Sequence, residues 1–195
     1  MRFTKPEMLE VFRQQDLMYR MAILASHWFR LPTVYKPSAI EDARGLWMEV
    51  NEQWMSFADI ADELEHNPYP IASEFVLNQL HAAIRAPLEV LAGYCQDYDK
   101  LGLETNLTVR LKSTPWYIYA RAIRNAVSHN FHFRFDVKFK KLLPTTWHGI
   151  TISAEHDGQR ISSETFGNAP GYDLLLEMKS FAERLPEPFS NADNQ

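Results

Sequence analysis

The sequence predicts a mainly α-helical protein, a bundle of four to five helices with a small antiparallel sheet inserted before the last helix. Apolar residues recur every three or four positions over most of the 195 residues, which is the period of an amphipathic helix. Proline and asparagine interrupt these runs where helices would end. The longest alternation of apolar and polar residues is late in the chain, which places the predicted sheet at about residues 131–165.

The first three predicted helices occupy the N-terminal half of the chain. The first spans residues 5–30 and stops before Pro32; its apolar stripe contains Met8, Phe12, Met18, Met21, Leu24 and Trp28. A capping box at residues 38–41 begins the second, whose apolar stripe continues over residues 46–65. The third runs from Phe75 to Cys95 and contains Pro87.

The second half combines helices with the predicted sheet. Residues 99–113 form a connection that includes a possible short strand. Thr114 and Pro115 start a helix that runs to residue 129 or 130. Residues 131–140 form a strand, and an Asp157-Gly158 turn forms a hairpin. The last helix covers residues 174–185. We therefore expect one domain at residues 5–186 and a frayed tail at residues 187–195.

The composition excludes several classes of protein. Hydrophobic residues make up 46% of the chain and charged residues 23%, as in an ordinary globular protein. The single cysteine, Cys95, excludes an internal disulfide and a multi-cysteine zinc module. The charged N-terminal segment has no signal-peptide pattern, and no apolar run is long enough for a bilayer. We expect a cytoplasmic protein that does not contact membranes.

The charges are unevenly distributed along the chain. The net charge is −5, but the segment 110–141 has eight basic residues and one acidic residue, a net charge of +7. The remainder carries −12. This asymmetry predicts either a localised anion site or a solvated basic surface.

One face of the helix beginning near Thr114 combines side chains suited to phosphodiester chemistry. On a helical wheel, these polar side chains lie on the side of the helix opposite its apolar face. A guanidinium is a bidentate ligand for phosphate, and histidine transfers protons near neutral pH. A solvated face that ends in a histidine is the alternative interpretation. The polar face contains Tyr117, Arg121, Arg124, Asn125, Ser128 and His129.

The segment Arg124-Asn125-Ala-Val-Ser-His129 resembles the Arg-x4-6-His motif of the HEPN superfamily. The resemblance covers residues 121–133 as a motif and residues 5–186 as an architecture. Many HEPN domains are metal-independent endoribonucleases that act as toxins, in phage defence or in RNA processing; others bind without catalysis. The resemblance implies catalytic roles for Arg124 and His129, with Asn125 as the supporting polar residue. Toxin-type members often carry a tyrosine where this chain has Phe131.

RNA cleavage without a metal needs a base for the 2′-OH proton and an acid for the leaving oxygen. One histidine cannot occupy both sides of the phosphate, so a two-fold dimer would supply two copies of His129. The resemblance to HEPN nucleases implies the same arrangement, because those enzymes are dimers with a composite site. We expect a homodimer that binds RNA, with an antitoxin or regulatory protein as a further possible partner. Four residues of the basic segment complete the expected substrate-binding set: His132, Arg134, Lys138 and Lys140.

Three alternatives to a nuclease remain. The first is a HEPN-like dimer that binds RNA, nucleotide or a protein partner without cleavage, and the second is an unrelated helical protein. The third is a metal protein. Glu63 and His66 have the spacing of a di-iron motif, but such a site requires a second copy of the motif. Four histidines could form a metal site only if the fold happened to bring them together: His129, His132, His148 and His156. We expect neither metal nor cofactor.

Overall fold

A computed structural model describes residues 3–29, 41–42, 44–50, 53–102, 106–162 and 164–187, which are mainly helical, as predicted. Two antiparallel hairpins pair β1 (Trp47–Val50) with β2 (Gln53–Ser56) and β3 (Thr145–Trp147) with β4 (Ile150–Ile152). Ser38 of the expected capping box and residues 188–195 of the expected tail lie outside the described residues. The helices are α1 (Lys5–Phe29), α2 (Ala58–His66), α3 (Pro68–Asp99), α4 (Leu107–Lys112), α5 (Tyr117–Ser128), α6 (Val137–Lys140) and α7 (Asn168–Glu183).

The chain divides into two compact units. One consists of Met1–Met18 and Leu80–Gln195, and the other of Tyr19–Gln79. The residues expected to act in catalysis or substrate binding all belong to the first unit. In the part of the chain that the structure describes, no helix combines the length and apolar character needed to cross a bilayer.

Helix α1 confirms the first predicted helix but not its buried stripe. Met8 and Phe12 are buried, as expected. Beyond them the predicted stripe is exposed, with Met18, Met21, Leu24 and Trp28 each between 46% and 63% exposed. The buried positions there are Tyr19, Ala22 and Ser26. These buried positions continue the helical period from Phe12. From residue 18 onward, the predicted apolar stripe was therefore displaced by one residue from the buried face.

The prediction of a helix over residues 46–65 is wrong in its first half. Residues 47–50 and 53–56 form the antiparallel strands β1 and β2, with Trp47 opposite Ser56 and Val50 opposite Gln53. Trp47, Val50 and Trp54 are aromatic or β-branched residues, which favour strands. This preference outweighs the helical spacing of the apolar residues in this segment. Helix α2 begins only at Ala58 and ends at His66, before the predicted break at Asn67. Arg44 forms ion pairs with Glu41, Asp62 and Glu65.

Helices α3 and α7 provide much of the first unit's core. Leu80, Ile84, Leu88 and Leu91 of α3 are buried, and helix α7 confirms the last predicted helix. The buried residues of α7 include Leu174, Leu175, Met178 and Phe181. Close packing explains Gly171 of α7, because a Cβ atom there would lie 2.7 Å from a methyl carbon of Leu80.

Helix α4 replaces the connection and possible strand predicted before the motif helix. The Asn106 side chain accepts a hydrogen bond from the Val109 amide at 3.0 Å, which caps the helix. The Asp99 carboxylate accepts two more bonds, from the amides of Leu107 at 2.7 Å and Thr108 at 3.0 Å. Leu107 and Leu111 are buried four residues apart. Residues four apart share a face in a helix as well as in a strand. The alternation of apolar and polar residues over 107–111 therefore did not distinguish a strand from this helix.

Helix α5, the motif helix, begins at Tyr117, two residues after the predicted first helical residue, Pro115. Thr114 does not cap it; its hydroxyl donates to the Leu111 carbonyl at 2.8 Å. The apolar face is as expected, with Tyr119, Ala120, Ile123 and Ala126 fully buried. The helix ends at Ser128, and Asn130 and Phe131 follow with φ values of 56° and 62°. Two consecutive residues in the left-handed region reverse the chain direction after His129.

The strand predicted at residues 131–140 is wrong. Only His132 forms a bridge, to Arg160, and residues 137–140 form helix α6. The Asp136 carboxylate accepts from the Phe139 amide at 2.6 Å and caps that helix. Phe135 and Phe139 are both buried, with ring centroids 5.3 Å apart.

The predicted hairpin has the right kind of turn in the wrong place. Strands β3 and β4 are joined by His148 and Gly149, with φ values of 47° and 79°, as a type I′ turn requires. At the predicted position, residues 154–156 form a single 3₁₀ turn instead. Asp157 and Gly158 then lead back to the segment after α5, where the Gly158 amide donates to the Phe133 carbonyl at 2.8 Å.

Candidate functional site

Side chains from α5, α6 and the segments beside them enclose a cleft of about 590 Å³. Three lining residues, Arg121, Asn125 and His129, are four residues apart on α5 and therefore share a face. The reversal at residues 130–131 brings the following segment back to the same place. The complete lining is Arg121, Asn125, His129, His132, Arg134, Phe135, Asp136, Phe139, Asp157 and Gly158.

The two histidines of the cleft differ in their contacts. His129 is the C-cap residue of α5 and is exposed. His132 is held by its backbone bridge to Arg160, and its Nδ1 lies 2.8 Å from the Asn130 carbonyl oxygen. Because a carbonyl only accepts, that Nδ1 carries a proton, and Nε2 is left as the nitrogen that can face a ligand.

Arg121 lies between two aromatic rings. Its guanidinium carbon is 5.7 Å from the centroid of Tyr117 and 5.2 Å from the centroid of Phe139. Both distances are within the range of cation–π attraction. These contacts place the guanidinium over two ring faces without using its N–H groups as hydrogen-bond donors to a side chain.

Two carboxylates also line the cleft, so its charge is not simply positive. Asp136 accepts from the Phe139 amide. Asp157 forms an ion pair with Lys140 at 2.6 Å and accepts from the Phe135 amide at 3.0 Å. The Lys140 ammonium, followed by the Phe135 amide, holds the pKa of Asp157 below its usual range. Asp157 therefore remains ionised near neutral pH. Each of the two carboxylates already has a hydrogen-bond donor.

Arg124, the motif arginine, does not line this cleft. Its Nε and Nη2 lie 3.1 and 3.0 Å from one carboxylate oxygen of Glu89, and its Nη1 donates to the Asn125 side-chain oxygen at 3.1 Å. A neighbouring pocket of about 110 Å³ contains Arg124 instead. Arg121 lines both spaces. Asn125 thus connects the motif arginine to the cleft that contains His129.

The other predicted binding residues contribute less to the cleft. Tyr117 is buried and lines the smaller pocket. The Ser128 hydroxyl donates back to the Arg124 carbonyl at 3.1 Å. Lys138 and Lys140 are exposed on α6, and neither lines the cleft, although Lys140 reaches its edge through Asp157. The structure thus brings together Arg121, Asn125, His129, His132 and Arg134 from the predicted set.

Sequence reasoning missed the acidic and aromatic half of the cleft. Asp157 and Gly158 were interpreted only as a turn, and the phenylalanines only as one face of a strand. Asp136 preceding a short apolar-basic segment is a helix-cap signal that was available. Glu89 carried no local signal, because it is 35 residues from Arg124 in the chain.

The histidines that sequence reasoning considered for a metal do not converge. His148 lies 3.0 Å from Glu177, and the His156 ring lies 3.1 Å from the Ser153 hydroxyl. His66, from the di-iron spacing, donates to the Asp62 carbonyl at 2.7 Å. Among the described residues, no three side chains of histidine, cysteine, aspartate or glutamate are grouped as metal ligands would be.

Comparison of the chain with protein-family models, with curated proteins and with solved structures finds no match. The functional assignment therefore depends on the chemistry of the cleft and its surroundings. That chemistry combines two histidines, two arginines, an amide and two carboxylates.

Proposed function

We propose that the protein is an endoribonuclease of the HEPN type, which cleaves RNA without a metal ion at a site composed of residues from two protomers. The observation that carries this proposal is that His129 and Asn125 face the same cleft as Arg121, His132 and Arg134. Arg124 is joined to that cleft through Asn125.

The residues fit the transesterification of RNA. A base removes the proton from a 2′-OH, whose oxygen attacks the adjacent phosphorus; the bond to the 5′-oxygen breaks, and an acid protonates that oxygen. The products are a 2′,3′-cyclic phosphate and a 5′-OH. His129 is the proton-transfer group, and a second copy from the partner protomer performs the opposite transfer. Arg124 stabilises the charge that develops on the phosphoryl oxygens.

The pairing of Arg124 with Glu89 does not prevent this role. The two side chains are each 40% exposed, and an exposed ion pair contributes roughly 0–1 kcal/mol. A phosphate competes effectively for a guanidinium held so weakly. In the proposed reaction, Arg124 exchanges the Glu89 carboxylate for a phosphoryl oxygen when RNA binds.

The same ion pair favours a second candidate function. If Arg124 serves to hold α5 to Glu89 of α3, the protein is a non-catalytic dimer that binds RNA, nucleotide or a protein partner. Both candidates use the same cleft, and only the first breaks a phosphodiester bond.

The deciding experiment incubates the purified protein with a mixed RNA pool in EDTA and analyses the new ends. We expect 2′,3′-cyclic phosphate ends with wild-type protein and at least a hundredfold fewer with His129→Ala, since general acid–base catalysis contributes about 10²–10⁴-fold. His66→Ala is the matched control, because His66 is exposed and outside the cleft. RNA binding without new ends would support the second candidate.

A further inference from the structure

Arg121 is the arginine of α5 whose guanidinium is held in place by two aromatic rings. Tyr117, one turn earlier on α5, and Phe139 of α6 are 8% and 4% exposed, so both rings are fixed by packing. Their faces hold the guanidinium at 5.7 and 5.2 Å. Little side-chain entropy is then lost when Arg121 binds a second group.

The carboxylates near Arg121 are engaged elsewhere. Asp157 pairs with Lys140, and Glu89 pairs with Arg124 and, at 3.4 Å, with Arg85. Asp136 caps α6. Within the described part of the chain, Arg121 forms no ion pair with a carboxylate, in contrast to the motif arginine one turn later. A guanidinium that is held in place and has no carboxylate partner can bind a phosphate through two parallel hydrogen bonds.

The position of Arg121 indicates which phosphate it takes. It lines both the large cleft, which contains His129, and the small pocket, which contains Arg124. The small pocket has a volume of about 110 Å³, against about 590 Å³ for the cleft. A nucleoside therefore fits only the cleft, and the small pocket has room for a smaller group such as a phosphate.

We propose that Arg121 forms a phosphate subsite for single-stranded RNA, at the boundary between the cleft that receives a nucleoside and the pocket that contains Arg124. This inference rests on the proposed function, since it assumes that the ligand of the cleft is RNA. A nucleotide that enters a cleft has left its base pair, so the ligand is single-stranded. Arg121 binds and positions the strand, and the chemical step belongs to His129 and Arg124.

Binding is tested in full-length protein carrying His129→Ala, so that cleavage does not interfere. The probe is a short fluorescent single-stranded RNA, with anisotropy measured over a series of salt concentrations. Adding Arg121→Gln should weaken binding about tenfold and reduce the slope of log K against log salt by about 0.7, as expected when one phosphate contact is lost. Arg121→Lys should recover the slope but only part of the affinity, because lysine keeps the charge and loses the planar stacking.

Arg110→Gln is the matched control, because it removes an exposed arginine of the same basic segment that does not line the cleft. Equal losses for Arg121→Gln and Arg110→Gln would overturn the subsite. A duplex of the same length and sequence should bind more weakly than the single strand, and equal binding would overturn the assignment of substrate class. Thermal melting of each variant checks folding, and Arg121→Lys retains the test if Arg121→Gln does not fold.

The subsite and the proposed function fail separately. If wild-type protein produces no cyclic-phosphate ends but binding still depends on Arg121, the nuclease is wrong and the phosphate subsite stands. If wild-type protein cleaves RNA and Arg121→Gln binds it as tightly as the parent, the subsite is wrong and the nuclease stands.

Discussion

His81 of α3 is a buried polar residue beside the segment that carries the cleft histidines. It is 1% exposed, and neither ring nitrogen has a hydrogen-bond partner among the described residues. Its ring packs against Phe131 at 4.7 Å and Phe166 at 5.7 Å between centroids. Burial lowers the pKa of His81 to about 4. Phe131 lies in the reversal between His129 and His132, so this neutral packing supports the geometry of the cleft.

The lowered pKa predicts a loss of stability in mild acid. The unfolded chain binds a proton at His81 near pH 6.5 and the folded chain only near pH 4, so acid favours unfolding between these values. The free energy of unfolding should fall by up to about 1.4 kcal/mol per pH unit in that window, and His81 should contribute no slope above it. Denaturant titrations from pH 4 to pH 8 measure this slope.

His81→Leu should remove that slope and raise stability at pH 7, because an unsatisfied buried polar group costs about 1–3 kcal/mol. The exposed His66→Ala should leave the slope in place. If the pH dependences of wild type and His81→Leu run parallel, the histidine has a partner in solution and the interpretation is wrong.

The residue scale also separates what a helical wheel can predict from what it cannot. Arg121, Asn125 and His129 follow from spacing alone, because residues four apart on a helix are neighbours. The division between Arg121 and Arg124 does not follow from it. Glu89 and Phe139, which determine the partners of these two arginines, come from α3 and α6. Those contacts depend on tertiary packing, which no local pattern contains.

At the scale of elements, the segment 131–140 shows why an alternating pattern can mislead. Phe131, Phe135 and Phe139 are four residues apart, and positions four apart share a face in both a strand and a helix. Val137 distinguishes the two, since it would share the buried face in a strand, and it is 75% exposed. The strand also lacks a partner of sufficient length, because only His132 forms a bridge. Asp136 then favours the helical turn by capping it.

Helix α6 leads to a prediction about its two lysines, both assigned from sequence to RNA binding. Lys140 pairs with Asp157 of the cleft, and Lys138 does not line the cleft. Lys140→Ala should therefore weaken RNA binding more than Lys138→Ala, because it removes a cation and also exposes an unpaired carboxylate to the RNA. The double variant should flatten the salt dependence.

These affinities are measured by anisotropy in the His129→Ala protein. The free energy of unfolding should change by at most about 1 kcal/mol, because the Lys140–Asp157 pair is partly exposed. Equal effects of the two single variants would contradict the role given to Asp157. Normal binding by the double variant would mean that α6 is only a solvated basic surface.

At the scale of the whole molecule, the charge asymmetry of the sequence does not become one basic surface. Of the eight basic residues between 110 and 141, two line the cleft, Arg121 and Arg134. Arg124 and Lys140 are neutralised by acids that lie 35 and 17 residues away. A count along the sequence therefore overstates the local charge. Recognition in this cleft depends on individual oriented groups more than on net charge.

The mainly helical class was predictable because long amphipathic segments have a strong periodicity, as in α1, α3, α5 and α7. The short elements lack a comparable periodicity. Helices α4 and α6 have six and four residues, and both were expected to be strands or connections. In such short segments the decision depends on caps and partners, as with Asn106 and Asp136.

The composite site predicts how activity depends on the composition of a dimer. If two copies of His129 act as base and acid on one phosphate, a dimer with one His129→Ala protomer cannot complete the reaction. Co-expressed and co-purified mixtures with half of each chain should retain about a quarter of wild-type activity, because only pairs of wild-type chains are active. A mixture with His66→Ala should retain full activity, and light scattering at micromolar concentration should give the mass of a dimer. Activity proportional to the wild-type fraction would contradict the composite site and would assign the second proton transfer to the same protomer, in which His132 shares the cleft with His129.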